Sequence, residues 1–273
     1  MALMTRTHKD VARLGYENEK DFVKKLNKDR KNFIWKKIGY QKNIDHYFIK
    51  VKGNKDWQPA KKSIIQPTKI QPKTDVFIAK GKINLQQLIS NDYYLDENDL
   101  LNNKLSPING SGISIKLSKS NCQWDKCSPD KFFYRYGSYE LFAGMSLYIT
   151  SEKFKNNHKI IKACKSNWKK MGQYFDMYKA HLHKLDPKIS LEEKDRVIFK
   201  KIQNFSREKI YQIALKNQLI LDSIFSGKNE FKEPYCASWF YYDNVLTKKY
   251  PNKFTVTQGS GRSKNRPLIS FKY

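Results

Sequence analysis

PKTDVFIAKGK (residues 72–82) and GSGISIKLSKSN (residues 110–121) decide how this chain is read. Val76-Phe77-Ile78-Ala79 is a short apolar run between Pro72 and the Lys80-Gly81 turn, and reads as a buried strand. Ile113 to Leu117 is a β-branched run opened by glycine, and reads as a second strand. Asp75 stands at the start of the first. Residues two apart on a strand share a face, so Ser114 and Lys116 point one way and Ile115 points into the core. A carboxylate on one strand and a Ser-x-Lys on the next form a compact polar group.

Outward from this pair, residues 10–29 read as a helix, with Val11, Leu14, Phe22, Val23 and Leu26 at helical spacing. Residues 32–52 alternate β-branched and aromatic side chains, which suggests one or two strands, and 53–70 read as a polar loop. Residues 83–110 form an insertion, with a short helix (Leu85 to Ser90) and an acidic stretch holding Asp92, Asp96, Glu97 and Asp99. Residues 129–150 are aromatic-rich and mixed. Residues 152–226 read as a helical block, in which Ser190 and Glu193 give an N-cap signal and Ser206 to Phe225 form a further helix. Short strands return at Ala237 to Tyr242, Phe254 to Gln258 and Leu268 to Lys272. The expected class is α/β: a mixed sheet flanked by helices, a helical block and a small C-terminal β region. The expected division is a core over 1–150, carrying the 83–110 insertion, and a second region over 151–273 packed closely on it.

Charge narrows the partner. Lys and Arg number 53 against 26 acids, a net of +27. Such a field draws in a polyanion, and nucleic acid is the obvious partner, although charge alone says no more than a polyanion. Hydrophobic residues make up 39% of the chain, enough for a packed core, so disorder is excluded as the default. No stretch is long and apolar enough for a membrane span, and Met1 to Lys9 has no apolar run, so neither a membrane nor a secretory signal is expected and the location is cytoplasmic. Cys122 and Cys127 have half the spacing of a zinc site, but only His181 and His183 offer a second pair, so the four Cys are read as cytosolic thiols.

Phosphodiester hydrolysis requires an activated water, a Lewis acid on the phosphate and relief of charge on the leaving oxygen. Carboxylates holding Mg²⁺ supply the first two, and a nearby lysine orients or deprotonates the water. Asp75, Ser114 and Lys116 fit that chemistry as D…S-x-K, with Ser114 in the second acidic position and the Ile115 carbonyl as a further metal ligand. The last acid comes from the first helix. Gly15-Tyr16-Glu17-Asn18-Glu19 has G-x-x-x-E spacing, which favours Glu19 over Glu17, reaching the metal directly or through water.

These segments resemble the monomeric type II restriction endonucleases related to MspI, within the PD-(D/E)xK superfamily. The resemblance lies in four stretches: Gly15 to Asp21; Pro72-Lys73-Thr74-Asp75; Ser114-Ile115-Lys116 with Leu117 to Ser120; and Gly259-Ser260-Gly261-Arg262-Ser263-Lys264 to Phe271-Lys272. It implies a restriction-endonuclease-like core, a monomer, Mg²⁺-dependent cutting of duplex DNA at a short palindrome, and a cognate DNA methyltransferase as functional partner. The chain departs from the family in its long gap from Asp75 to Ser114. A junction-resolving or repair nuclease would share the catalytic residues, and a basic nucleic-acid-binding protein without activity would share the charge.

DNA contacts are expected at three places. Lys155, Lys159, Lys162, Lys165 and Lys169 form a one-sided basic stripe suited to phosphates. Gln258, Arg262, Ser263, Lys264, Asn265 and Arg266 form a donor-rich loop suited to base edges. Lys119, Ser120, Asn121 and Gln123 follow the catalytic strand and can touch backbone or bases.

Overall fold

A computed structural model describes residues 8–52, 72–116, 123–137, 140–145, 193–251, 253–258 and 269–272. In chain order its main elements are α1 (His8–Lys28), α2 (Phe33–Ile38), β1 (His46–Lys50), β2 (Val76–Lys80), α3 (Leu85–Ser90), α4 (Glu97–Asn102), β3 (Ser106–Pro107), β4 (Ile113–Lys116), β5 (Gln123–Cys127), α5 (Pro129–Tyr136), α6 (Glu140–Met145), α7 (Glu193–Lys216), α8 (Gln218–Leu221), β6 (Trp239–Tyr242), β7 (Val245–Thr247), β8 (Thr255–Gln258) and β9 (Ile269–Lys272). The fold is mixed α/β. Among the described residues no helix is long and apolar enough to cross a membrane.

The chain divides into two compact units, and the boundary differs from the expected cut at residue 150. One unit is residues 1–122 with 225–250, and the other is 123–224 with 251–273. The reason lies in β6, which returns from late in the sequence to pair in parallel with β4, from Ile113↔Trp239 to Lys116↔Tyr242.

The first unit is built on a mixed sheet of order β1-β2-β4-β6-β7, with β3 added beside β2. β1 and β2 are antiparallel, β2 and β4 antiparallel, β4 and β6 parallel. One face carries Phe48, Val76, Ile78, Ile113 and Ile115, covered by Phe22, Val23 and Leu26 of α1 and by Ile34 and Trp35 of α2. The other face carries Tyr47, Ile49, Phe77 and Ala79, covered by Leu88, Leu95 and Leu105. The 83–110 insertion therefore supplies the second apolar layer of a sheet buried on both faces. Lys24 pairs with Asp92 at 2.6 Å, and Lys20 and Lys28 lie over the Tyr94 and Tyr93 rings, so one lysine row of α1 meets the insertion. The half-buried Glu97 accepts from the Lys52 amide at 2.6 Å and the Tyr235 hydroxyl at 2.8 Å, and burial raises its carboxyl above the ordinary range.

β1 is an edge strand, and its open side is closed by side-chain and loop groups. The Asn27 amide donates to the Phe48 carbonyl at 2.9 Å and accepts from the Phe48 amide at 2.8 Å, imitating a neighbouring strand. It also donates to the Tyr93 carbonyl at 3.1 Å. Two residues on, the Lys50 amide donates to the Leu95 carbonyl at 2.9 Å. This fixes α1 against β1 two helical turns below Glu19.

Of the one or two strands expected within 32–52, one forms, β1, and the start of the stretch, Phe33–Ile38, is helical. Asn32 caps it through its side chain, and Gly39 ends it at φ +97°. Trp35 gains a buried site and an indole hydrogen bond to the Leu26 carbonyl at 2.7 Å. Gly112, just before β4, sits where a Cβ would come within 2.3 Å of the Cys236 carbonyl and 2.5 Å of the Thr74 hydroxyl, so only glycine lets β4 start there.

The second unit has a three-stranded antiparallel sheet, β5-β9-β8. Asp125 is buried between Lys131, at 3.0 Å, and Arg135, which also donates to the Ser223 carbonyl. The expected separate helices from 190 and 206 are one helix, α7; the break comes at Asn217, whose side chain caps α8.

Removing the Asn27 amide leaves the buried Phe48 N–H and C=O without their partner. Asn27→Ala is expected to cost about 2 to 4 kcal/mol in urea denaturation; a loss below about 0.5 kcal/mol would show that the helix–strand clamp carries little.

Candidate active site

The site forms where β2 and β4 part. Their ladder has a single pair, Val76↔Ile113. Just before β2, the Asp75 backbone is held on both sides, donating to the Ile113 carbonyl at 2.9 Å and accepting from the Val51 amide at 3.0 Å. Beyond that point its carboxylate does what the next rung would have done. Asp75 Oδ2 accepts from the Ile115 amide at 2.6 Å, and the Ser114 hydroxyl donates to the same oxygen at 3.3 Å. Lys116 Nζ lies 3.9 Å from it. These three contacts fall on Oδ2, which leaves Oδ1 for another ligand. The Ile115 N–H and C=O share one edge of the strand, so the carbonyl also faces the gap.

Glu19 arrives from α1. It lies three, four and seven residues before Phe22, Val23 and Leu26, on the helix face that packs on the sheet. Its carboxylate forms an ion pair with Lys50 through Oε2. Burial first, and then the negative charge of Asp75, push the Glu19 carboxyl up to about 7, against the opposing pull of Lys50 and Lys116. Glu17 is exposed, so Glu19 is the acid that senses Asp75 and Lys116.

Of the expected site residues, Asp75, Ser114, the Ile115 backbone, Lys116 and Glu19 come together. Ser114 acts on the Asp75 carboxylate, as an orienting donor. Lys50 is an addition that sequence reasoning does not supply: its side chain is only 3% exposed, and the Tyr16 ring lies 4.5 Å from its Nζ. The one signal for it is a lysine ending HYFIK, at an even spacing from Phe48 that puts it on a buried face.

The residues present fit a divalent cation. Two partly buried carboxylates act on each other electrostatically, each with one oxygen engaged, and the donors are the hard oxygens such an ion prefers. Among the described residues no three His, Cys, Asp or Glu side chains converge. Cys127 and Cys236 are buried thiols, and the Cys236 thiol is pushed up to about 12 by burial first.

Two expected DNA-contacting residues are described. Gln123 opens β5 opposite Lys272, and Gln258 closes β8 opposite Ile269, so they lie at opposite ends of the small sheet. Lys119, Ser120, Asn121, Lys155, Lys159, Lys162, Lys165, Lys169, Arg262, Ser263, Lys264, Asn265 and Arg266 lie outside the described residues, as do Cys122, Cys164, His181, His183 and Ser190. The chain matches no protein-family model and no curated protein. Its chemistry therefore rests on the side chains themselves.

A folded-state carboxyl near 7 holds a proton that the unfolded chain, near 4.5, has already lost. In the metal-free protein this contribution to stability is complete below about 4.5 and is lost as pH rises through about 7. Relative to Glu19→Gln, the wild-type chain in EDTA is expected to lose about 1 to 3 kcal/mol between those limits by urea denaturation. A constant difference across that range would contradict the assignment.

Proposed function

We propose that this chain is a Mg²⁺-dependent endonuclease of the PD-(D/E)xK kind, acting as a type II restriction enzyme on a short sequence in duplex DNA. The observation that carries the reading is the convergence of Asp75, Glu19 and Lys116 where β2 and β4 separate. The net charge of +27 supports a polyanionic substrate, and the mixed sheet is compatible with the implied core.

Asp75 and Glu19, with the Ile115 carbonyl, would hold the cation. A cation held there would supply Lewis acidity at the phosphate and a more acidic water. Lys116, beside Asp75, would orient the attacking water by donating to it and would offset the charge that builds on the phosphate as the new oxygen–phosphorus bond forms, while the water's proton passes to bulk solvent. The bond from phosphorus to the leaving sugar oxygen breaks, and that oxygen gains a proton from water. Ser114 keeps Asp75 in its rotamer. In this reading the chain works as a monomer in the cytoplasm, alongside a methyltransferase that protects the host's own copies of the target.

Incubation of the full chain with supercoiled plasmid and Mg²⁺ is expected to give discrete fragments, and EDTA to prevent them. Asp75→Ala and Lys116→Ala should each lower the cleavage rate by about 100-fold or more while duplex binding changes little. Ser114→Ala should cost about tenfold. Cleavage of branched or damaged DNA alone would move the chain to a resolving or repair nuclease. Binding without Mg²⁺-dependent scission would leave a basic nucleic-acid-binding protein.

A further inference from the structure

Lys50 is the charged group at the site that the proposed chemistry leaves unused. It is the last residue of β1 and is buried, a placement an ammonium tolerates only when paired. Its partner is Glu19, and the Tyr16 ring lies against it. Lys116 stands in the same relation to Asp75. The site therefore contains two carboxylates, each matched to a lysine, and among the described residues no further His, Cys, Asp or Glu joins them.

We propose, resting on the nuclease reading above, that the Lys50 ammonium takes the place of a second divalent cation, so that the site uses one ion per chain. The charges decide it. A phosphodiester monoanion that accepts hydroxide becomes a dianionic phosphorane, and Glu19 and Asp75 add two more negative charges. One divalent ion with Lys50 and Lys116 balances all four. A second divalent ion would leave two excess positive charges in a partly buried site, with only two carboxylates among the described residues to ligate both ions. Lys50 is a positioning residue: it holds Glu19 Oε2, leaves Oε1 for the cation, and engages the carboxylate oxygen that a second ion would need as its ligand.

The test uses the full chain at pH 8 and two readouts. The first is Mn²⁺ bound per chain, from loss of the free-ion resonance signal. The second is the order of plasmid cleavage in Mg²⁺ concentration. The wild type should bind one Mn²⁺ that Asp75→Ala removes, and cleave with first-order dependence. Lys50→Ala opens the space: it should bind a second Mn²⁺, cleave about 100-fold more slowly at low Mg²⁺, and recover with second-order dependence. Lys50→Met fills the space without charge, so it should bind one ion and not recover. Lys50→Arg should keep one ion and a rate within about tenfold of the wild type. Two Mn²⁺ on the wild type, or a Lys50→Ala chain that stays at one ion, overturns the proposal. Where Lys50→Ala does not fold, equal cleavage by the Met and Arg variants overturns it. A wild-type chain with no Asp75-dependent Mn²⁺ removes the nuclease reading itself, and this inference with it.

Discussion

The hydrogen bond from the Ile115 amide to Asp75 Oδ2 is the constraint on which the site depends. A two-strand ladder that continued past Val76↔Ile113 would satisfy that amide with backbone and close the gap. The ladder stops instead, and a carboxylate takes over its last obligation. A buried N–H is costly to leave unmade, so the carboxylate is held there and cannot be exchanged for an apolar side chain without loss. The same arrangement sets Lys116 one residue further along β4, at ion-pair distance, and turns the Ser114 hydroxyl onto the same oxygen. Strand pairing and the geometry of the proposed site are thus one feature of the chain.

The second carboxylate depends on a different set of bonds. Glu19 is delivered by α1, and α1 is registered on β1 by the Asn27 amide. Its burial has an electrostatic cost, visible in the raised carboxyl, and Lys50 offsets that cost from the end of the strand to which α1 is clamped. The insertion closes the arrangement from the other face. It packs Leu88, Leu95 and Leu105 under the sheet and bonds the free edge of β1 at Lys50. A sheet with both faces covered can hold charged groups at a strand end with little exposure, which is where electrostatic interactions are strongest.

The local pattern makes part of this legible. The apolar run Val76 to Ala79 and the β-branched run from Ile113 place β2 and β4 and so Asp75, Ser114 and Lys116; the helical stripe Phe22, Val23, Leu26 places α1, and the G-x-x-x-E spacing within it favours Glu19 over Glu17. What escapes is set by distant partners. The pairing of Lys50 with Glu19 reaches from α1 across α2 to the end of β1, and nothing in HYFIK says that a carboxylate waits opposite its lysine. FIWKKI reads as a strand by composition, but Asn32, Gly39 and the pocket for Trp35 make it a helix. The boundary between units is hidden because parallel pairing of β4 with β6 joins segments more than a hundred residues apart, beyond the reach of any window. The role of the insertion does not show in sequence because its apolar residues, Leu88, Leu95 and Leu105 among them, are interleaved with polar ones; their value lies in the sheet face they cover.

The position of the cation decides whether the parting of β2 and β4 is an active site. Crystals of the full chain grown with Mn²⁺ in place of Mg²⁺, on a duplex carrying its cut sequence, should give an anomalous peak at the mouth between these strands. That peak should lie within about 2.0 to 2.6 Å of oxygens from Asp75, Glu19 and the Ile115 carbonyl, or of a water bridging to Glu19. A protein–DNA complex with no peak there, or with its only peak held by other residues, would contradict the claim that these two strands build the catalytic centre.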